Sequence, residues 1–185
     1  MEQKQKCVSP MSNEGRNAYV VEHLTAALLE LLREKPLADI SVSELCGVAG
    51  VGRTSFYRNF ESKEAILQER VRALFLSEIA RGEEEDSLGP LILRVFSHLE
   101  AHRDFYGLLS QRGLIHLLKD VLLELCAFDA RQEAPAAYAS AFAAYSLYGW
   151  IEVWFLRETR ETAEELAALL GGQGGGGGGA PVNRS

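Results

Sequence analysis

The fold of this chain is decided by the stretch ISVSELCGVAGVGRTSFYRNFESKEAIL, residues 40–67. Ser41 and Glu44 form an S-x-x-E capping box, in which each side chain satisfies a free backbone N–H at the start of a helix. Gly50 predicts the end of that helix after about eight residues. Gly52 opens a second short helix. Two short helices separated by a glycine turn are typical of a helix-turn-helix.

The second short helix, which runs from Gly52 to about Asn59, has two different faces. Its apolar residues and those of the preceding helix predict a small core of Val42, Leu45, Cys46, Ala49, Val51, Phe56 and Phe60. The opposite face carries arginine, hydroxyl, amide and phenol groups, which contact phosphates and base edges in protein–DNA complexes. These residues are Arg53, Thr54, Ser55, Tyr57, Arg58 and Asn59. The next helix begins at Ser62 and Lys63, where free N–H groups and an ammonium suit a backbone phosphate.

The remainder of the chain between residues 16 and 170 is predicted to be helical, because alternating strand patterns and hairpin turns are missing. A helix at about 16–33 carries an apolar stripe and ends before Pro36. The fourth helix runs from Ser62 to about Gly82. Further helices are predicted at about 88–102, 103–111, 114–128, 135–158 and 162–170. We therefore expect an all-α fold of about nine helices, in which the long fourth helix joins an N-terminal three-helix DNA-binding domain to a C-terminal helical domain.

Composition divides the chain into four parts. Residues 1–15 are predicted to be a flexible arm, 16–63 the helix-turn-helix domain, 64–170 the dimerisation and ligand domain, and 171–185 a disordered glycine-rich tail. The formal net charge is −7. Residues 1–63 have eight basic and eight acidic residues, so the acidic excess lies C-terminal to the helix-turn-helix. Since phosphate binding follows the local patch, the overall charge does not exclude DNA binding.

The stretch 40–67 resembles the N-terminal DNA-binding domain of the TetR family of regulators. The resemblance rests on the hydroxyl of Ser41, the Ala-Gly-Val turn at 49–51, the Phe-Tyr-x-x-Phe signature at 56–60 and the Ser-Lys-Glu at 62–64. The family usually has serine or threonine where Gly52 stands here, so we expect slightly weaker anchoring to the DNA backbone. Residues 91–114 and 138–170 resemble the C-terminal domain of the subgroup labelled dihydroxyacetone-kinase-regulator-like.

The resemblance implies a homodimer that places two reading helices in successive major grooves of a near-palindromic operator. It makes Arg53, Thr54, Ser55 and Asn59 candidates for base contacts. It makes Ser41, Gly52, Tyr57, Arg58 and Lys63 candidates for contacts to the DNA backbone. For an isolated Arg58 or Lys63 the alternative is a solvated helix face. The clustering of all these residues in one motif favours the DNA-binding interpretation.

The helix at about 135–158 is apolar on nearly every side, so one side must pack on its own domain and the other needs a partner. We assign it, with the helix at 162–170, to a two-fold dimer interface. The family resemblance also implies a ligand pocket in this domain. The candidate lining residues, for which ordinary core packing is the alternative, are Phe96, Leu99, Tyr106, Leu109, Leu122, Phe142, Tyr145 and Trp150.

Other kinds of site have weaker support. His98 and His102 stand four apart, but no third metal ligand is evident, so core or solvated histidines are favoured. Cys7, Cys46 and Cys126 are widely spaced and are interpreted as free thiols in a reducing cytosol, with a redox sensor as the alternative. We expect neither a metal nor a cofactor. No signal peptide or membrane-spanning run is evident, which predicts a soluble, cytoplasmic protein.

The predicted function is a sequence-specific transcriptional regulator, a repressor that a small-molecule effector releases from DNA. The chain lacks a nucleophile–base pair and a phosphate-binding loop, so an enzyme is not expected. The alternative is a coactivator, an interaction module that keeps this fold and regulates through a partner protein.

Overall fold

The structure, a computed structural model, describes residues 13–79 and 88–171. Within these ranges the chain forms nine α-helices and two short 3-10 helices, and contains no strand. The α-helices are α1 (Asn13–Glu34), α2 (Val42–Ala49), α3 (Arg53–Asn59), α4 (Lys63–Ile79), α5 (Leu88–Ala101), α6 (Arg103–Gln111), α7 (Leu118–Leu125), α8 (Ala134–Leu156) and α9 (Ala163–Gly171). The 3-10 helices are Leu37–Asp39 and Ile115–Leu117. The prediction of an all-α chain is confirmed.

Several predicted features fall outside the described ranges. They are most of the N-terminal arm with Cys7, the end of the predicted fourth helix beyond Ile79, and the glycine-rich tail beyond Gly171. The described chain divides into two compact units, the first ending with Arg70 and the second beginning with Val71.

The first unit is built on the apolar stripe of α1. Leu24 and Leu28 are completely buried, whereas Tyr19, nearer the start of the helix, is half-exposed. Short helices α2 and α3 pack on α1. Phe56 of α3 is fully buried, and truncating a buried phenylalanine typically costs roughly 3–5 kcal/mol. This core therefore holds α3 in place through its apolar side and leaves its polar side accessible.

The second unit packs α5 on α9 and α7 on α8. Trp154 lies at its centre: its ring meets Phe96 edge-on with centroids 5.5 Å apart, and its Nε1 donates to the Glu161 carbonyl at 2.9 Å. A second aromatic cluster contains Phe75, Tyr106 and the buried His98, whose Nε2 lies 2.8 Å from the Tyr106 hydroxyl. His98 is thus a core residue joined to a phenol.

The predicted helix at 114–128 is shorter and begins differently. Its first turn is the 3-10 helix Ile115–Leu117, and α7 ends at Leu125. Gly113 precedes it with φ of 71°, and Ala127 follows it with φ of 53°, both in the left-handed region. Backbone in this region cannot continue a right-handed helix, which explains why the helix is confined between these two positions.

Helix α8 has one buried and one exposed side, although apolar residues occur all around it. Its buried residues are Ala144, Leu147, Ile151 and Trp154. Its exposed large apolar residues are Tyr138, Phe142, Tyr145, Val153 and Leu156. The helix ends at Leu156, ahead of the predicted residue 158, because Glu158 and Thr159 adopt φ near 60° and 54°.

Among the described residues, none of the helices combines the length and apolar character that a membrane span requires.

Candidate nucleic-acid interface

The first helix of the motif, α2, is capped as its sequence predicts. The Ser41 hydroxyl accepts a hydrogen bond from the Glu44 N–H at 3.1 Å. The Glu44 carboxylate accepts one hydrogen bond from the Lys35 ammonium at 2.6 Å and another from the Ser41 backbone. These hydrogen bonds lower the pKa of Glu44 from its usual 4.5, and the bond from Lys35 has the larger effect. The start of α2 is therefore fixed both by its own capping box and by a residue from the end of α1.

The turn between α2 and α3 depends on Gly50. Its φ of 65° and ψ of 27° lie in the left-handed region, and its N–H donates to carbonyls of the last turn of α2. Val51 N–H then donates to the Cys46 carbonyl at 3.1 Å. These two bonds satisfy orphan carbonyls at the helix end, as in a Schellman-type ending. The turn fixes the angle at which α3 leaves α2.

Helix α3 exposes the face that the sequence predicts. Arg53, Thr54, Tyr57 and Arg58 are exposed, and Ser55 and Asn59 are half-buried. Tyr57 is the most exposed aromatic ring of this unit, with 64% of its surface accessible. On the opposite side Phe56 and Phe60 are buried with ring centroids 6.4 Å apart. A short helix with guanidinium, hydroxyl and phenol groups on one exposed face has the chemistry to contact a major groove.

Two of the candidate base-reading side chains already have partners within the unit. Arg53 Nη1 donates to the Ser43 hydroxyl at 3.4 Å, which directs the guanidinium along the surface of α2. Asn59 Nδ2 donates to the Ser55 carbonyl at 2.8 Å, one turn back in α3. Either contact has to open or be shared when the side chain reaches a base edge.

Lys63 has a partner that the sequence does not indicate. Its ammonium donates to the carbonyls of Leu37 and Ile40, each at 2.5 Å, at the 3-10 helix that precedes α2. The N-cap of α4 is Ser62, whose hydroxyl accepts from Ala65 N–H at 3.1 Å. Lys63 thus ties the start of α4 to the segment that leads into the motif, more than 20 residues earlier.

The described cysteines are free thiols. Burial raises the pKa of the Cys46 thiol, an effect that the nearby Arg53 charge opposes, and burial also raises the pKa of Cys126. A raised pKa leaves less thiolate at neutral pH, so neither residue has the activated environment of a reactive thiol.

The candidate ligand residues of the second unit do not share one environment. Phe96, Leu99, Tyr106, Leu109 and Leu122 are completely buried in the core. Phe142 and Tyr145 instead lie on the exposed side of α8. Trp150 lines an open groove of about 530 Å³ between α8 and α9, whose other lining residues are Gly149, Val153, Trp154, Arg157, Glu161, Leu166 and Leu169. No cluster of three or more potential metal ligands occurs in the described part of the chain.

Comparison with known proteins finds similarity in the first unit. The profile of the bacterial regulatory proteins of the tetR family matches residues 24–69. The HTH-type transcriptional regulator EthR of Mycobacterium tuberculosis is 50% identical over 44 residues, which make up 24% of this chain and 20% of EthR. EthR of Mycobacterium bovis matches to the same extent. The chain therefore matches about a fifth of the length of these curated relatives.

Comparison with solved structures concerns the fold. NalD, the secondary repressor of the MexAB-OprM multidrug efflux pump in Pseudomonas aeruginosa, aligns with a TM-score of 0.52 and 19% identity, over 83% of this chain and 93% of NalD. The dihydroxyacetone kinase operon activator DhaS aligns with a TM-score of 0.49 and 15% identity, over 82% of this chain and 91% of DhaS. At that level of similarity, the subgroup resemblance of the second unit stays a prediction.

Proposed function

We propose, from the match of residues 24–69 to the profile of the tetR family of bacterial regulatory proteins, that the protein is a sequence-specific DNA-binding transcriptional regulator. It acts as a homodimer on a near-palindromic operator. It represses transcription and is released from DNA by a small-molecule effector. Its activity is that of a binding protein rather than an enzyme, and its place is the cytoplasm.

The observation that carries this proposal is the exposed face of α3. Arg53, Thr54, Tyr57 and Arg58 are exposed on one side of a helix whose other side is locked by Phe56. The N–H groups of an arginine guanidinium donate to guanine edges and to phosphates. A hydroxyl accepts or donates a hydrogen bond, and a tyrosine phenol donates to a phosphate oxygen. The profile match supports the same use of this helix, because it covers α2, α3 and their capping residues.

The homodimer is supported by the exposed side of α8. Soluble monomers rarely leave large contiguous apolar patches open to water, and such patches mark interaction sites. Tyr138 and Phe142 are 77% and 76% exposed, and Leu156 is 78% exposed. Pairing two copies through this surface supplies two α3 helices, which is what an operator with two half-sites requires.

The test is a footprint of the purified protein on its own upstream region, followed by a gel shift with the Arg53→Ala variant. We expect wild-type protein to protect a near-palindromic site, and the variant to lose roughly 1–3 kcal/mol of binding free energy if Arg53 reads a base. Arg131→Ala is the matched control, because Arg131 is an exposed arginine of the second unit that pairs with the nearby Asp129.

The outcomes separate the two functional classes. Unchanged operator affinity in Arg53→Ala removes that residue from the reading set. Absence of any specific protection by wild-type protein contradicts the DNA-binding regulator and favours the coactivator that works through a partner protein. Candidate effectors are then added to the footprint, and loss of protection identifies the releasing ligand.

A further inference from the structure

The exposed side of α8 has two halves of opposite shape. The N-terminal half presents Tyr138, Phe142 and Tyr145, whose rings project into solvent with 77%, 76% and 51% of their surfaces accessible. The same stripe continues at intervals of three or four residues through Gly149 and Val153. There it runs into the groove of about 530 Å³ that α8 forms with α9.

Gly149 makes the second half concave. A Cβ added to Gly149 would meet no atom within 4 Å, apart from the backbone of its own helix. The groove walls beyond it are apolar, since they consist of Trp150, Val153, Leu166 and Leu169. Its polar lining is Arg157 and Glu161, which pair through a hydrogen bond from Arg157 Nε to Glu161 Oε1 at 2.6 Å.

We propose that this groove is the socket for the aromatic side chains of α8 from a second copy of this chain, with the two α8 helices antiparallel and crossing between Tyr145 and Ser146. The proposal rests on the homodimer proposed above and specifies its register. A two-fold interface is isologous, which means that both chains use the same surface. If residue i of one chain contacts residue j of the partner, residue j of the first chain contacts residue i of the partner. A surface with one convex and one concave half satisfies that condition when the helices run in opposite directions.

The register follows from counting along the helix. About a crossing point between residues 145 and 146, Phe142 faces the partner's Gly149, and Tyr138 faces the partner's Val153. The ring of Phe142 then enters the space above the glycine, as a knob enters a hole. A parallel arrangement would instead set Phe142 against the partner's Phe142 and leave both grooves empty.

The polar end of the groove fits the same arrangement. Helical side chains lean toward the N-terminus of their own helix, so the partner's Tyr138 leans toward Arg157 and Glu161. Glu161 Oε2 is buried and has no hydrogen-bond donor among the residues that the structure describes. Reorientation of this carboxylate lets it accept a hydrogen bond from the partner's Tyr138 hydroxyl.

The decisive experiment is disulfide trapping in the full chain after Cys7, Cys46 and Cys126 are replaced by serine or alanine. In Phe142→Cys/Gly149→Cys the two cysteines of one chain lie seven residues apart on α8, about 10 Å along the helix. Disulfide-bonded residues have Cα atoms within about 7 Å of each other. Any disulfide in this variant therefore joins two chains.

The proposed register predicts a specific pattern after mild oxidation. The double variant yields a covalent dimer on a denaturing gel. Tyr145→Cys alone also does so, because residue 145 of one chain lies close to residue 145 of its partner at the crossing point. Phe142→Cys alone and Gly149→Cys alone stay monomeric on the gel. Each cysteine lies about 10 Å along the helix axis from the same residue of the partner chain. Two outcomes overturn the register but leave the homodimer standing. One is a disulfide between the two copies of Phe142→Cys. The other is a double variant that forms no disulfide although light scattering shows that it is a dimer.

A second measurement keeps the native cysteines. Gly149→Leu fills the socket, and Gly107→Leu is its control because Gly107 is a helical glycine of α6 with equally open space. We expect Gly149→Leu and Phe142→Ala each to raise the dimer dissociation constant by at least about tenfold, with Gly107→Leu and Phe128→Ala unchanged. Equal effects of Gly149→Leu and Gly107→Leu contradict the socket. A wild-type monomer at micromolar concentration instead overturns the homodimer itself.

Discussion

At the residue scale, Gly52 is the position where the helix-turn-helix departs from the TetR pattern that it resembles. It is the N-cap of α3, with φ of −77° and ψ of 147°, and it offers no side-chain cap to the helix. That backbone conformation is open to every L-residue, and a Cβ would meet nothing within 4 Å. Glycine is therefore not required by the geometry, and a hydroxyl is accommodated without rearrangement.

Gly52→Ser should strengthen both the helix and its contact with DNA. The hydroxyl accepts an N–H of the first turn of α3, which stabilises the fold by a few tenths of a kcal/mol relative to glycine, and it offers a donor to an adjacent phosphate. We expect operator affinity to rise by at least about tenfold in a gel shift at fixed salt, since a hydrogen bond to a charged group contributes about 1.5–3 kcal/mol. Gly52→Ala is the control, because alanine adds the Cβ without the hydroxyl and is a poor N-cap. Equal affinities of the serine and alanine variants contradict the phosphate contact.

Lys63, a candidate for contact with the DNA backbone, also stabilises the fold of the first unit. Its ammonium caps the carbonyls of Leu37 and Ile40, so a contact with a phosphate has to share or replace these bonds. Charge-assisted hydrogen bonds are about twice as strong as neutral ones. The residue thus orients the start of α4 in the absence of DNA.

At the element scale, the turn of the motif depends on backbone conformation. Alanine at Gly50 has to adopt φ near 65°, which costs an L-residue roughly 1–2 kcal/mol. Alanine at Gly47, three residues earlier inside α2, keeps helical backbone with open space around its Cβ and gains about 0.5–1 kcal/mol in helix propensity.

Gly50→Ala should therefore lower the free energy of unfolding, and Gly47→Ala should raise it. The same chemical change three positions apart produces opposite signs because only one of the two sites lies in the left-handed region. Urea denaturation followed by circular dichroism measures both. Destabilisation of similar size in the two variants refutes the assignment of Gly50 as the left-handed cap.

The start of α2 predicts a pH dependence. The hydrogen bond from Lys35, and then that from the Ser41 backbone, lower the folded-state pKa of Glu44 below 4.5. A carboxyl with a depressed folded pKa stabilises the fold above its unfolded pKa, and the stabilisation is lost as pH falls through the folded value. Glu44→Gln keeps an acceptor for the cap but has no charge to lose.

We expect Glu44→Gln to have a lower free energy of unfolding than wild type at neutral pH. The two free energies become equal at a pH where Glu44 of the wild type is protonated in both the folded and the unfolded protein. The measurement is denaturant unfolding of the two proteins from pH 7 to pH 3. A difference in unfolding free energy that stays constant across this range shows that the charge of Glu44 contributes nothing.

At the scale of the whole molecule, the features that could be predicted from sequence are local. The Ser41–Glu44 cap, the Gly50 turn and the buried Phe56 all follow from residues within a few positions of one another. Helical periodicity is a local property, which is why the all-α class is evident from the sequence alone.

The features that could not be predicted are set by tertiary contacts. Lys63 reaches carbonyls more than 20 residues away, and Lys35 reaches Glu44 across the end of α1. Periodicity indicates that Phe142 and Tyr145 are apolar positions of a helix, but it does not say which side of α8 its own unit covers. Their exposure depends on where α7 and α9 pack, and that is a property of the folded unit.

The placement of tryptophan gives the second unit a natural spectroscopic signal. The chain has two tryptophans, Trp150 and Trp154, one helical turn apart on α8, and both line the α8–α9 groove. Trp154 is almost fully buried, whereas Trp150 is partly open to water. Emission from Trp150 therefore shifts to shorter wavelength when the groove is filled, and concentration-dependent fluorescence of the unlabelled protein follows assembly directly. The first unit has no tryptophan and does not contribute to that signal.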